Sequence, residues 1–420
     1  MLQVAMISTG EEVLHGDITD TNAAWLSRLF FEQGFAMTRR TTVGDQLEML
    51  AKEIEHCSLT ADVVVVNGGL GPTTDDLTAQ AAAIAADVGL ELSEYWVAEM
   101  EAKYAKLNRV MPETNLKQAM LPEGAELLDN PVGTACGFSM QLNRAWIFFT
   151  PGVPSEFKVM AHDQIIPRLV GSFSSDQAKD CHRLYTFGLS ESGIGETLQR
   201  ITLPDGFEFG YRSSLPFIEV KIFCPREHAE ADAILEQVRD LLGDNVVGVE
   251  QPLVEEVSSL LTKTDYSLTI AEQATGGFLT SWLHDVPDMN AHIQKAWVLG
   301  DENTVEHTQS EQLGAVLAIA AAARDNACNG GNTTGGGIIM ASGKLHDGQV
   351  AVVISTPEGD WAQVITTKRQ YASRDFRYVL STVMLDMLRR WLSGKDVIGQ
   401  YESLTRIDEA YIVSEKQNEG

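Results

Sequence analysis

Short apolar runs alternate with amphipathic segments along the first 170 residues of the chain. The runs at 2–8, 36–43 and 61–69 predict strands, while 21–34 shows the 3.6-residue period of a helix. Four consecutive valines make the third run apolar on both faces, as a central parallel strand is. The pattern predicts an α/β domain over residues 1–170, with helices on both faces of its sheet.

The alternation breaks at the polar stretch GSFSSDQAKD, residues 171–180, which predicts a linker. Residues 178–250 then show strand, helix, strand and helix patterns, which predict a small α+β domain. Residues 253–400 begin with a helix, a strand and a glycine turn, and predict a third, α/β domain. Residues 401–420 are polar and predict a tail that is ordered only in part.

The chain is strongly acidic: 31 Lys and Arg stand against 59 Asp and Glu, a formal net charge of -28. This charge repels nucleic-acid backbones and anionic membranes, so neither is expected as a partner. It also disfavours phosphorylated small molecules. Such a ligand needs local positive charge that offsets the repulsion, from backbone N–H groups, a few basic side chains or a metal ion.

Cysteine spacing and apolar runs indicate a cytoplasmic protein. The five cysteines are scattered, without a CxxC pair or the spacing of a structural zinc site, which favours a reduced compartment. The longest apolar run, at 313–323, is far shorter than the ~20 residues of a membrane span, and the N-terminus lacks the pattern of a signal peptide. Export and membrane insertion are not expected.

The sequence NGGLGPTTDD, residues 67–76, follows the valine run and precedes a predicted helix at 77–90. A strand, a glycine turn and a helix start are the elements of a phosphate site, because free N–H groups point outward there. The sequence lacks the Gly-Lys-Ser/Thr ending of a P-loop, which excludes a nucleotide hydrolase of that class.

Two interpretations account for the adjacent acids Asp75 and Asp76. They cap the first turn of the following helix, or they hold a divalent cation that bridges phosphate oxygens. We favour the second, because a cation resolves the conflict between a phosphate ligand and an acidic chain.

Two further loops follow strands at the same end of the predicted sheet, where open α/β folds bind ligands. The loop STGEEVLHGDITDTN carries several acids and His15, which is interpreted as solvated; Asn22 and Trp25 are expected to begin and pack a helix. In TPGVPSEFK, Ser155 and Glu156 begin a helix, and Lys158 offers one of the scarce positive charges.

The segments GEEVLHGDITDTNAAWL, TTVGD, NGGLGPTTDD, NRVMPETNLKQAMLPEGAELLDNPVGTACGF and TPGVPSEFKVM, in this order, resemble the N-terminal region of the CinA (competence-damage-inducible) family. That region is related to molybdopterin-binding MogA/MoaB domains. The resemblance implies a three-layer α/β/α sandwich over 1–170, a KH-like domain over 178–250, a CinA-type α/β domain over 253–400 and a homodimer.

For the N-terminal domain, the resemblance implies divalent-metal-dependent hydrolysis of ADP-ribose to AMP and ribose 5-phosphate, with Mg²⁺, Mn²⁺ or Co²⁺. It assigns metal binding or water activation to Asp75 and Asp76, without deciding which acid does which. It also assigns phosphate contacts to Gly68, Gly69, Gly71 and Thr73. Lys158 joins the expected substrate-binding residues because of its positive charge in the third loop.

The C-terminal domain resembles nicotinamide mononucleotide deamidases, whose motif is A-E-S-C-T-G-G with the serine as nucleophile. Here the segment reads AEQATGG, so the degenerate site is Glu272, Gln273, Ala274 and Thr275. A glutamine does not attack an amide carbon. The tyrosine and lysine that follow in the family are absent from VLGDENTVEHT, and the family's second glycine loop is reduced to ACNGGNTTGGG. Lys295, as a displaced base, is an unfavoured alternative.

Three functions remain open. The first is a hydrolase in which only the N-terminal domain works on a nucleotide substrate. The second is a non-catalytic module that binds a nucleotide or molybdopterin. The third is residual deamidation through residues that the motif does not identify.

Overall fold

The computed structural model describes residues 2–173, 179–300, 309–328 and 337–413. The chain divides into two compact units, Met1–Lys179 and Asp180–Gly420. Within the described residues, none of the helices combines the length and apolarity that a membrane span requires.

The first unit contains eight strands and seven helices in its described part. The strands are β1 (Val4–Thr9), β2 (Met37–Val43), β3 (Val63–Asn67), β4 (Leu90–Leu92), β5 (Met120–Pro122), β6 (Glu126–Leu128), β7 (Gly137–Leu142) and β8 (Ala145–Thr150). The helices are α1 (Glu11–Leu14), α2 (Thr21–Glu32), α3 (Leu47–Thr60), α4 (Thr78–Ala86), α5 (Glu94–Lys106), α6 (Pro154–Met160) and α7 (Ile166–Ser172). A short 3₁₀ helix, Glu113–Ala119, precedes β5.

The six-stranded sheet of this unit has the order β2-β1-β3-β8-β7-β6, and β4 pairs with β5 apart from it. β1 pairs in parallel with β2 and β3, and β3 pairs in parallel with β8. Side chains alternate between two cores on opposite faces, because a strand has a period of two. One core receives Ala5, Ile7, Val64 and Val66, and the other receives Val4, Met6, Val63 and Val65.

In the second unit, the chain first forms β9 (Lys179–Phe187), α8 (Glu191–Leu198), β10 (Glu208–Ser214), β11 (Phe217–Pro225), α9 (Ala231–Leu242) and β12 (Val246–Val249). Then follow α10 (Leu253–Leu261), β13 (Ser267–Glu272), α11 (Phe278–His284), β14 (Ile293–Val298), α12 (Gln309–Cys328), β15 (Gly337–Ser342), β16 (Gln349–Ser355), β17 (Gly359–Thr367), α13 (Ser373–Leu392) and β18 (Leu404–Val413).

Two sheets build this unit, with the orders β10-β11-β9-β12 and β14-β13-β15-β16-β17-β18. Phe187 and Phe217 of the first sheet pack in the same core as α10 and α13, so the segments before and after residue 250 share apolar interior. A buried ionic network adds to this contact. Asp386 accepts from the Nε atoms of Arg389 (2.8 Å) and Arg390 (2.7 Å), and both guanidinium groups donate to the carbonyl of Asp244.

Half of the residues in the predicted polar tail, 401–420, belong to a strand that the sequence analysis does not predict. Residues 404–413 form β18, which pairs antiparallel with β17 along nearly its whole length. The strand carries charged residues at 406, 408 and 409, and these masked its alternating pattern in the sequence. Residues 414–420 lie outside the described residues, as do 174–178 of the predicted linker.

Candidate functional site

A cleft of about 390 Å³ opens where β1, β3 and β8 end in the first unit. The three strands are parallel, so their carboxyl ends meet at one edge of the sheet. The cleft is lined by the loop after β1, the glycine loop after β3, which we define as residues 68–77, and the loop after β8. Predicted site residues that line it are Gly68, Gly69, Asp75 and Asp76.

Asn22 joins the loops at the floor of this cleft. It lies in the first turn of α2 and is buried. Its Nδ2 donates to Asn67 Oδ1 (3.0 Å) and to the carbonyl of Gly152 (2.8 Å). Asn67 Nδ2 in turn donates to the carbonyl of Pro151 (2.7 Å). Side-chain amides therefore fix the ends of all three loops relative to each other.

The glycine loop turns sharply onto α4. Gly68 and Gly69 have φ values of 108° and 66°, in the region that favours glycine. A Cβ on Gly69 would stand 2.3 Å from Thr78 Oγ1, and that hydroxyl donates to the carbonyl of Gly68 (2.8 Å). α4 begins at Thr78, without an acid in its first turn. The helix-capping interpretation of Asp75 and Asp76 is therefore wrong.

Several N–H groups of the loop already donate within the protein. The N–H of Gly68 bonds to the carbonyl of Thr150 (2.9 Å), and that of Thr78 bonds to the carbonyl of Gly69 (3.0 Å). The N–H of Thr73 bonds to Asp76 Oδ2 (2.8 Å). A phosphate at this loop consequently has fewer backbone donors than the strand-turn-helix pattern suggests, which increases its need for a positive charge.

Asp76 holds the turn of the loop through Thr73. Its Oδ2 accepts from both the N–H and the hydroxyl of Thr73. A Cβ on Gly71 would lie 2.5 Å from the same oxygen, so glycine at this position makes room for the carboxylate. Gly71 and Thr73 are not among the residues that line the cleft. They shape the loop around Asp76 instead.

Asp75 is exposed at the cleft, and the Thr73 hydroxyl and the backbone lower the pKa of its carboxyl. A smaller lowering of this pKa comes from Lys117, whose Nζ donates to the carbonyl of Thr73. Lys117 lies in the segment NLKQA, where sequence patterns predict no site residue. It belongs to the short 3₁₀ helix, far from the loop in sequence.

Asp45 is a further cleft residue that sequence reasoning missed. Its Oδ2 accepts from the N–H of Glu11 (3.1 Å), and Glu11 Oε1 accepts from the N–H of Asp45 (3.2 Å). Burial raises the pKa of Asp45, and the negative charges of Glu12 and Asp75 raise it further. Its signal was present, since TTVGD places an acid two residues beyond the end of a predicted strand.

Five carboxylates line the cleft: Glu12, Asp20, Asp45, Asp75 and Asp76. Asp20 is engaged, because it accepts from Ser8 Oγ (2.6 Å) and from the N–H of Ala23 (2.8 Å) at the start of α2. In the described ranges, no group of three or more His, Cys, Asp or Glu side chains is spaced to hold a metal ion. The site fits a cation that takes one or two carboxylates and completes its coordination with water and phosphate oxygens, as Mg²⁺ does.

Lys158 is not among the residues that line this cleft. It is exposed on α6, and its Nζ is 5.9 Å from the ring centroid of Trp25. A contact between Lys158 and the substrate stays a prediction. His15, interpreted as solvated, is exposed, and its Nε2 lies 3.3 Å from Glu11 Oε2.

The second unit has a comparable turn after β13. Gly276 and Gly277 have φ values of 58° and 87°, and α11 begins at Phe278. Glu272 is fully buried below this turn, where its carboxylate accepts from the N–H groups of Leu279 (3.0 Å) and Thr280 (2.8 Å). It also accepts from Thr280 Oγ1 (2.5 Å). All of these contacts stabilise the start of α11.

Gln273, where the resemblance to deamidases implies a serine, is held by hydrogen bonds in this turn. Its N–H donates to Ser342, and its Nε2 donates to the carbonyl of Gly300 (3.4 Å). The N–H of Ala274 donates to Gly343 (3.1 Å), and the Thr275 hydroxyl lies 3.0 Å from the buried hydroxyl of Ser342. The turn is ordered, but its side chains are engaged in holding it.

The position of Lys295 does not favour a role as the base of the glycine turn after β13. It lies on β14 in register with Thr269, and its Nζ donates to the carbonyl of Asn326 (2.5 Å). Residues 301–308 and 329–336 lie outside the described residues. They make up most of VLGDENTVEHT and ACNGGNTTGGG, the two segments compared with the family's tyrosine, lysine and second glycine loop.

Residues 5–170 match the family described as "Probable molybdopterin binding domain". Over nearly its full length, the chain is 41% identical to a CinA-like protein of Shewanella denitrificans, covering 97% of this chain and 100% of the relative. It is 43% identical to a CinA-like protein of Escherichia coli, covering 96% of each. A solved structure of CinA from Thermoplasma acidophilum, of unknown function, matches 39% of this chain and 98% of its own, at 30% identity and a TM-score of 0.36.

These matches confirm the predicted family and the predicted α/β class with its molybdopterin-binding type of N-terminal domain. The match to the Shewanella relative spans both units of the chain. The chain belongs to the family of CinA-like proteins.

Proposed function

We propose that the first unit hydrolyses the diphosphate of a nucleoside diphosphate sugar, with ADP-ribose as the substrate and AMP and ribose 5-phosphate as products. The observation that carries the proposal is the position of Asp75 and Asp76. They stand on a glycine loop at the carboxyl ends of parallel strands, inside a cleft rather than on a helix. This is the end of an open α/β sheet at which ligands bind.

A divalent cation is part of this proposal. When bound, it would offset the charge of the diphosphate and of the cleft carboxylates. Asp75 and Asp76 would hold it, and the bond from Thr73 to Asp76 fixes the orientation of one of them. Asp45 extends this negative surface, because it lines the same cleft as Glu12 and Asp75.

The reaction consumes one water molecule. Its oxygen forms a bond to one phosphorus of the diphosphate, the bond from that phosphorus to the bridging oxygen breaks, and the second phosphate leaves with the bridging oxygen. A carboxylate of the cleft accepts the proton that the water loses. The hydrogen bonds that the side-chain amides of Asn22 and Asn67 donate keep the loops in place around the substrate. This orients the diphosphate for attack.

A second candidate is binding without turnover. The match of residues 5–170 to a molybdopterin-binding family favours it, because a pterin that carries a phosphate has the same charge requirement at the glycine loop. The two functions differ in their dependence on metal and in the appearance of product. Binding that is tight without metal and yields no AMP from ADP-ribose supports the module.

For the second unit we propose that deamidation of nicotinamide mononucleotide is absent. The support is chemical: Gln273 has no hydroxyl or thiol to attack the amide carbon. The hydroxyls of Thr275 and Ser342 in the same turn are buried and within hydrogen-bond distance of each other. Ammonia release above the rate without enzyme would contradict this.

The test is a screen of Mg²⁺, Mn²⁺ and Co²⁺ against nucleoside diphosphate sugars and nicotinamide mononucleotide, with products separated by chromatography. We expect AMP from ADP-ribose only when metal is present. Asp76→Asn tests the site, and Asp163→Asn, an exposed acid of the same unit, is the matched control. Equal AMP release by the wild type and Asp76→Asn would overturn the assignment.

A further inference from the structure

Lys117 lies on a short 3₁₀ helix, Glu113–Ala119, that is fixed against the first unit by its own side chains. Asn115 Nδ2 donates to the hydroxyl of Tyr104 (3.1 Å) and to Gln118 Oε1 (2.9 Å). Gln118 Nε2 reaches the carbonyl of Leu70 at 3.5 Å, and its own carbonyl accepts from Cys136 Sγ (3.4 Å). This helix therefore forms a rigid support beside the glycine loop.

From this support, the ammonium group of Lys117 donates to the carbonyl of Thr73, across 44 residues of sequence. Thr73 is bonded on its other side to Asp76, through its N–H and its hydroxyl. The same residue thus receives a hydrogen bond from Lys117 and gives two to the carboxylate. Lys117 and Asp76 hold opposite sides of one peptide segment.

We propose that Lys117 is a positioning residue, which holds the segment 73–76 in the conformation that presents Asp75 and Asp76 to a divalent cation. The proposal rests on the proposed function of this cleft. Lys117 lines a smaller cavity on the other side of the glycine loop, with Gly71 and Asp76, and not the cleft itself. Its hydrogen bond to the carbonyl of Thr73 is the contact through which we propose that it acts. Outer groups that orient metal ligands commonly change metal affinity 10–100-fold when they are removed.

Charge alone gives the opposite expectation. The ammonium group of Lys117 lies at the carbonyl of Thr73, two residues before Asp75, and a cation near a metal site repels the metal. If repulsion were its main effect, removing the ammonium would tighten metal binding. If positioning is its main effect, removing the ammonium weakens binding. The sign of the change separates the two.

The experiment measures Mn²⁺ binding to the full chain, without substrate, from the electron paramagnetic resonance signal of free Mn²⁺. The variants are Lys117→Met, which keeps the chain length without the donor, and Lys117→Arg, which keeps a cationic donor. Lys106→Met is the control, because Lys106 is an exposed lysine in the last turn of α5. Hydrogen exchange of residues 68–77 is followed in the same proteins.

We expect the Kd for Mn²⁺ to rise about 10-fold in Lys117→Met and less than about 3-fold in Lys117→Arg, and to stay unchanged in Lys106→Met. Exchange over 68–77 should be faster in Lys117→Met alone, because the Thr73 segment loses its outer bond.

Unchanged or tighter Mn²⁺ binding by Lys117→Met overturns the proposal, even if the wild type hydrolyses ADP-ribose. Absence of Mn²⁺ binding by the wild type removes the metal site itself, and with it both the proposed function and this role. In that case the exchange rates still report whether Lys117 holds the loop. Equal exchange in Lys117→Met and wild type would contradict the tether directly.

Discussion

Two glycine turns occupy corresponding places in the two units. The first follows β3 and the second follows β13, and each central strand pairs in parallel with its neighbours on both sides. Each turn contains consecutive glycines with positive φ and leads into a helix. The backbones therefore offer similar openings for a ligand at the carboxyl end of a sheet.

Their acidic side chains are used in opposite ways. In the first unit, Asp75 is exposed and Asp76 lines the cleft, since α4 begins two residues later without either of them. In the second unit, Glu272 is fully buried and gives its oxygens to the start of α11. A strand, a glycine turn and a helix thus build the backbone of a possible ligand site. The side chains at the turn determine whether its carboxylates face a ligand or stabilise the helix.

The largest effect is expected for Asp76→Ala. The change removes a proposed metal ligand and the acceptor that fixes Thr73, so ADP-ribose turnover should fall at least about 100-fold. Circular dichroism should show an unchanged fold, because Asp76 is not in the hydrophobic core. Turnover within a few-fold of wild type would show that the first turn, like the second, uses its acids only for structure.

Glu272→Ala should lower stability and leave turnover intact. It leaves the buried N–H group of Leu279 and the partly buried N–H group of Thr280 without their acceptor, at a cost of about 1–3 kcal/mol for the buried group and less for the other. Thermal unfolding of the second unit should shift down by several degrees. Asp325→Ala, an exposed acid of the same unit, should not change the melting temperature. An unaffected melting temperature in Glu272→Ala would contradict the structural role of this carboxylate.

Asp45→Asn should stabilise the first unit slightly at neutral pH. Because the folded-state pKa of Asp45 is raised, the folded state binds the proton more tightly, and its stability falls as pH rises through that pKa. Asparagine removes the unfavourable charge and still accepts from the N–H of Glu11. We expect a Tm about 1–2 °C higher at pH 7–8, with the gain lost as pH falls towards 4. A gain that is independent of pH would exclude the charge as its cause.

The smallest expected effect is that of Gln273→Ser. Restoring a hydroxyl at this position should not restore deamidation of nicotinamide mononucleotide, because a serine needs a base to activate it and Lys295 is bonded to Asn326. Ammonia release should equal that of Gln273→Ala. Faster release by the serine variant would show that the second turn retains more of a catalytic site than its side chains indicate.

Sequence patterns predict the strands and helices on either side of these turns, because apolar runs and glycines determine the conformation of the short segments in which they occur. The helix after the first turn was predicted over 77–90 and spans Thr78–Ala86, where Asp87 adopts a left-handed conformation and ends it. The pattern placed acids at the turn but did not show on which side of the helix boundary they stand. That distinction depends on Thr78 bonding back to Gly68.

Residues that act over long sequence distances were missed for a physical reason. Lys117 reaches Thr73 from a 3₁₀ helix, which has too few residues for periodicity to reveal. Asp45 enters the cleft because β2 is the parallel neighbour of β1, a pairing that the pattern of one strand does not specify.

The central claim is that cation-dependent chemistry belongs to the first turn alone. One measurement tests it most directly: the products formed by the purified full chain from a mixture of ADP-ribose and nicotinamide mononucleotide with Mn²⁺, before and after EDTA. We predict AMP and ribose 5-phosphate without ammonia, and no AMP once EDTA has removed the metal or in Asp75→Ala/Asp76→Ala. Ammonia from the wild type, or AMP at the wild-type rate from the double variant, would contradict the account.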